Sequence, residues 1–104
     1  MKEYILVLTT TPTKGEGEKI GNILIKEKKA ACVSIIPCVS SIFPWEGKIE
    51  REEEAQLLIK TKKGLLEDVI SIIKDNHSYN VPEIIALPIL GGNKAYLEWI
   101  DKSL

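Results

Sequence analysis

His77 is the sole histidine of the 104-residue chain, and imidazole is the side chain best suited to hold a transition metal or move a proton near neutral pH. As a metal ligand it needs partners. The sequence offers no second histidine and no nearby cysteine, so a neighbouring copy of the chain would have to supply one, for instance through Glu83. The structural alternative is a loop histidine that holds backbone by hydrogen bonds. Glu50, Glu52, Glu53 and Glu54 carry oxygens suited to a hard divalent cation. In a strand, however, alternate side chains point to opposite faces, so these carboxylates are expected to form a solvated face that discourages aggregation. Cys32 and Cys38 are six residues apart, about 20 Å in an extended chain, which is beyond disulfide reach. They lack the spacing of redox or zinc motifs and are expected to be buried thiols acting as small hydrophobes.

Enzyme chemistry finds little support. Ser40 and Ser41 have no histidine placed as a base, and no phosphate-binding loop of Walker type occurs. Arg51, the only arginine, sits among glutamates rather than in a phosphate-binding loop. A formal net charge of −1 leaves no electrostatic footprint for nucleic acid. The expected central strands also lack the aromatics on which RNA bases stack. Lys60, Tyr79, Glu83 and Trp45 fall beside apparent turns or strand ends. In a cleft between subunits Lys60 would supply positive charge and Glu83 an acceptor for a small anionic effector. The structural alternative makes Trp45 an interface anchor and packs Tyr79 on a neighbour.

The elements that must position these residues follow from the hydrophobic pattern. Ile5–Thr10 is an apolar, β-rich run ended by Pro12, which suggests a buried central strand. Thr13 and Glu16 have capping-box spacing at the start of a helix carrying Ile20, Ile23 and Leu24. Gly15, Gly17 and Gly21 are expected to let its first turn fray, and Lys26, Lys28 and Lys29 to complement the dipole in its last turn. A long strand over 30–45 is expected to bulge at Pro37, which cannot donate to a ladder. Glu46 and Gly47 turn the chain into a second long strand from Lys48 to Thr61. Gly64–Lys74 forms the clearest helix, 76–80 a polar loop, Val81–Ile89 a short strand, and Tyr96, Leu97 and Ile100 mark a terminal helix.

This is βαββαβ plus a helix, one domain over residues 1–104, and the order favours an α+β ferredoxin-like sandwich: an antiparallel sheet with two helices on one face. Each hairpin arm of about 14 residues reaches roughly 46 Å when fully extended. A compact domain of this length measures only about 33 Å across. A free tip carrying Ile42, Phe43, Trp45 and Ile49 would expose apolar surface and unpaired edges. Pairing with other copies of the chain relieves this. The early polar residues make the N-terminus a poor signal peptide, and no apolar run reaches membrane-spanning length, so a cytoplasmic location and no membrane contact are expected.

Several segments resemble a known family. They are Ala30-Ala31-Cys32-Val33, Ser41-Ile42, Trp45-Glu46-Gly47-Lys48-Ile49-Glu50, Ile59-Lys60-Thr61, His77-x-Tyr79-x-Val81-Pro82-Glu83-Ile84-Ile85-Ala86-Leu87-Pro88-Ile89 and Tyr96-Leu97-x-Trp99-Ile100. In order and spacing they are similar to the CutA family of divalent-cation tolerance proteins. The resemblance implies a ferredoxin-like subunit, a tight homotrimer, a cytoplasmic setting and a role in copper or divalent-metal tolerance. The trimer is similar to that of PII-type signalling proteins, which bind small effectors between subunits. Members credited with copper binding carry a cysteine and two histidines where this chain has Thr9, Asn76 and His77. Here Ser78 replaces a loop proline, and Phe43-Pro44 the more usual aromatic pair. With only His77 kept, the resemblance implies weak binding of Cu2+ or another divalent cation.

Overall fold

The computed structural model describes residues 3–104, and its elements follow the expected order. They are β1 (Tyr4–Thr11), α1 (Lys14–Lys26), β2 (Cys32–Trp45), β3 (Lys48–Lys62), a 3-10 turn (Lys63–Leu65), α2 (Leu66–Asn76), β4 (Ile84–Ile89) and α3 (Lys94–Ser103). The strands form one antiparallel sheet in the order β2-β3-β1-β4. This is an α+β, ferredoxin-like arrangement with a long β2–β3 hairpin.

Register sorts the side chains into two faces. Ile5, Val7, Leu57 and Ile59 are buried with Ile20, Leu24, Val69 and Ile73, so α1 and α2 cover one face of the sheet. Burying each of these aliphatic side chains contributes about 1.5–3 kcal/mol. Leu6 lies opposite Lys60 and Leu87, and Leu8 opposite Leu58 and Ile85, which places these residues on the other face. That face is covered only in part. α3 is tied across one end of it by the Tyr4 hydroxyl donating to Asp101 at 2.8 Å and the Lys62–Asp101 ion pair at 3.0 Å.

Local departures from the sequence expectation have identifiable causes. The first turn of α1 holds its helical form from Lys14 on, with Gly17 buried against the sheet. A Cβ on Gly17 would meet Leu57 Cδ1 at 2.8 Å and Thr11 Oγ1 at 3.0 Å, so glycine is what lets helix and sheet approach. The helix stops at Lys26, and Lys28 turns the chain in the left-handed region at φ 58°. Lys28 and Lys29 therefore lie beyond the last turn, and Lys29 instead pairs with Asp68 of α2 at 3.0 Å. β4 starts only at Ile84, since Val81 and Pro82 are not paired in the sheet.

The hairpin has arms of 14 and 15 residues, and the subunit extends 45 Å along its long axis. Its ladder shifts register between Ile36 and Val39, where Pro37 cannot donate. Glu46 and Gly47 both take positive φ (48° and 75°), the two-residue turn whose twist matches that of the strands.

Candidate functional site

A polar network gathers where β1 ends. Thr13 caps α1 by accepting the Glu16 amide at 3.1 Å. The Glu16 carboxylate does not complete the reciprocal half of the box but accepts from the amide and hydroxyl of Ser78, at 2.9 and 3.1 Å. The His77 side chain is fully buried. Its Nε2 lies 2.7 Å from the Thr10 carbonyl oxygen and so must carry the proton, while Nδ1 accepts the Tyr79 amide at 3.0 Å. One imidazole thus ties the end of β1 to the loop leading into β4.

Tyr79 continues the network. Its hydroxyl donates to Glu54 Oε2 at 2.8 Å, and its ring lies 4.9 Å from that of His77. Burial, followed by the hydrogen bond to Glu54, pushes the Tyr79 phenol up to about 12. Glu54 is 8% exposed, which corrects the expectation that the whole acidic run is solvated. Glu50, Glu52 and Glu53 carry no such burial, and the phenol donor is what lets Glu54 leave water. Gln56, the next side chain on that face, donates to the Thr9 carbonyl at 3.0 Å.

Lys60 belongs to a different cluster. Its ammonium bonds the Ser34 hydroxyl and lies 3.9 Å from Cys32 Sγ on the face that α3 partly covers. Burial, then the neighbouring Cys32, raises the pKa of Tyr96 there. Lys60 is six residues along β3 from Glu54, about 20 Å. Glu83 is exposed just before β4. Within one subunit Lys60, Tyr79 and Glu83 are therefore not brought together. The cysteines correct another expectation: both are free thiols, but Cys32 is half-buried and Cys38 is exposed, turned outward at the bulge after Pro37.

Trp45 flanks the hairpin turn opposite Lys48, and Pro44, Phe43 and Ile42 face Ile49, Glu50 and Arg51. Trp45, Ile42 and Ile49 are 60%, 61% and 82% exposed, while Phe43 is half-buried. Beyond the tip, Ile85, Leu87, Tyr96 and Trp99 are also exposed, with Tyr96 and Trp99 stacked at 5.5 Å.

A family model described as "CutA1 divalent ion tolerance protein" matches residues 5–103. The chain belongs to the CutA family. It is 46% identical over 99 residues to "Protein CutA, chloroplastic" of Arabidopsis thaliana, covering 95% of this chain and 54% of that protein. It thus spans about half the length of that curated relative. Among solved structures, CutA1 from Oryza sativa superposes with a TM-score of 0.95 at 46% identity, covering 97% of this chain and 93% of that one. The structure described as the periplasmic divalent cation tolerance protein CutA from Archaeoglobus fulgidus does so at 0.93 and 39%, covering 96% and 97%.

The residues at the copper-ligand positions do not fit a metal centre as the subunit folds. Both His77 nitrogens are engaged with backbone. Thr9 is fully buried on the helix-covered face, and the Asn76 amide donates to the Ile72 carbonyl at 2.8 Å. Among the described residues no group of three or more His, Cys, Asp or Glu side chains is gathered for a metal. The sequence pattern did not reveal Glu16, Thr10 and Glu54 as partners of the loop. Only the Thr13–Glu16 spacing marked one of them, and it pointed to a different bond.

Proposed function

We propose that this CutA-family chain works as a non-enzymatic homotrimer in divalent-cation tolerance. The observation that carries the assembly is the sheet's second face. Leu6, Leu8, Leu58, Ile85 and Leu87 lie together there, half-buried or exposed, beside a hairpin whose tip leaves Ile42, Trp45 and Ile49 in water. An apolar sheet face continuous with unpaired strand edges is covered in stable proteins. The count of three comes from the family resemblance. Trp45, Phe43, Ile42 and Ile49 are the proposed interface residues.

Cu2+ or another divalent cation binds weakly in this account. Coordination by His77 has to displace either the Tyr79 amide or the proton shared with Thr10, and leaving such a buried group unsatisfied costs about 1–3 kcal/mol. Calorimetry with Cu2+ and Zn2+ tests this: weak heats, little changed in His77→Ala, are expected, and tight stoichiometric binding abolished by that substitution would overturn it.

A second reading rests on the Lys60 ammonium, which lies on the incompletely covered sheet face apart from Tyr79 and Glu83 of the same subunit. Threefold packing would be needed to bring them into one cleft, where a small anionic effector meets the Lys60 ammonium, as in PII-like sensors. A melting screen with nucleotides and organic acids tests it, and no shift across the panel counts against it. Among the described residues no helix is long and apolar enough to cross a membrane. We place the protein in the cytoplasm, although the Arabidopsis relative is named chloroplastic and the Archaeoglobus one periplasmic.

A further inference from the structure

A second polar feature lies at the opposite end of β1 from the His77 network. Here an open cleft of about 710 Å³ runs between the end of β3 and the turn that follows α1. Lys28, Lys62 and Lys63 line it together with Leu65 and Leu104, and among the described residues Glu3 is the one acidic side chain in its wall. The volume lies within the range of small-molecule sites, about 300–1,000 Å³. We propose that this cleft binds a phosphorylated small molecule, independently of the Lys60, Tyr79 and Glu83 cleft considered above.

The three ammonium groups differ in how free they are. Lys62 is held by Asp101 at 3.0 Å. Lys63 pairs with Glu3 at 3.4 Å, but both side chains are at least 60% exposed, so that pair exchanges readily for a stronger anion. Among the described residues Lys28 has no ion pair, and its backbone stands in the left-handed region at φ 58°. Glycine or asparagine would meet that conformation with less strain. The lysine adds nothing to the turn itself and sets an unpaired positive charge over the cleft.

The chemistry selects phosphate. Lysines act as separate point charges, which suit a compact dianion with oxygens on several sides, and among the described residues no arginine lines the cleft to add the planar fork that pairs with carboxylate and phosphate alike. Among the described residues neither the 3-10 turn nor α2 has a side-chain cap, and the Lys63 amide is held by the Glu3 carbonyl at 3.0 Å. Leu65 and Leu104 offer apolar wall to the body of the ligand.

Calorimetric titration at low ionic strength with pyrophosphate, AMP and citrate tests the site. Wild type should bind pyrophosphate and AMP saturably and citrate more weakly. Lys28→Gly removes the charge and relieves the backbone, so binding should weaken about tenfold while the thermal midpoint holds or rises. Lys63→Ala, at an exposed side chain, should weaken binding as well, and Lys48→Ala at the hairpin tip should not. Absence of saturable binding, tighter binding of citrate, or unchanged affinity in both cleft variants would overturn the proposal.

Discussion

Replacing His77 by alanine separates a latch from a ligand. The ring is fully buried and serves two backbone groups, the Thr10 carbonyl at 2.7 Å and the Tyr79 amide at 3.0 Å. Alanine leaves both without a partner, at about 1–3 kcal/mol each, and opens a cavity where the ring stood. Because the loop is at the surface, water recovers part of this, and a net loss of about 3 kcal/mol is expected. For a domain of this size that lowers the thermal midpoint by roughly 10 °C or more. Melting is to be followed at fixed protein concentration, since an oligomer's midpoint depends on it. His77→Gln, which can still donate and accept, should fall between the two proteins. In parallel, Cu2+ titration should give the same weak heats for all three. If His77→Ala melts within about 2 °C of wild type and loses a distinct copper-binding event, the imidazole is a metal ligand and the latch is refuted.

Other outcomes follow from the same geometry. Gly15→Ala and Gly17→Ala gain the same helix propensity, yet only the second puts a Cβ at 2.8 Å from Leu57. By chemical denaturation Gly15→Ala should stabilise by about 0.5–1 kcal/mol and Gly17→Ala destabilise by about 1–3 kcal/mol, and equal effects would contradict the close approach of α1 to the sheet. The Tyr79 phenol, pushed up to about 12, favours the folded state while protonated. Its contribution is fully present below the ordinary phenol range near 10 and fades as pH rises toward 12, so Tyr79→Phe should flatten the alkaline fall in stability. Leu58→Glu places a charge on the half-buried face opposite Leu8 and should shift gel-filtration mass downward, while Lys19→Glu on α1 should not.

The fold was largely legible because its signals are local and periodic. Pro12 ended β1, Thr13 capped α1, Pro37 marked the bulge and Gly47 the hairpin turn, each by what its own side chain permits. What escaped notice depends on tertiary approach. Gly17 looked like a weak point in a helix and is a contact with the sheet. Glu54 looked like one of several solvated glutamates, and only the arrival of Tyr79 from 25 residues away makes it a buried acceptor. Glu16 had the spacing of a reciprocal cap but spends its carboxylate on Ser78. Lys28 looked like a dipole-complementing residue, yet the helix ends before it. The cleft of Lys60, Tyr79 and Glu83 was expected between subunits, and the register, which puts Lys60 far from Glu54 and Tyr79 within one subunit, leaves that expectation to the assembly.

Sedimentation velocity at micromolar concentration bears most directly on the assembly. A single species of three times the 11.6 kDa chain mass, persisting on dilution, is what the uncovered sheet face and the 45 Å hairpin-bearing subunit lead us to expect. A well-behaved species of one chain mass would mean that the subunit tolerates Leu58, Ile85 and Leu87 in water, and the trimer would have to be abandoned together with the cleft between its subunits.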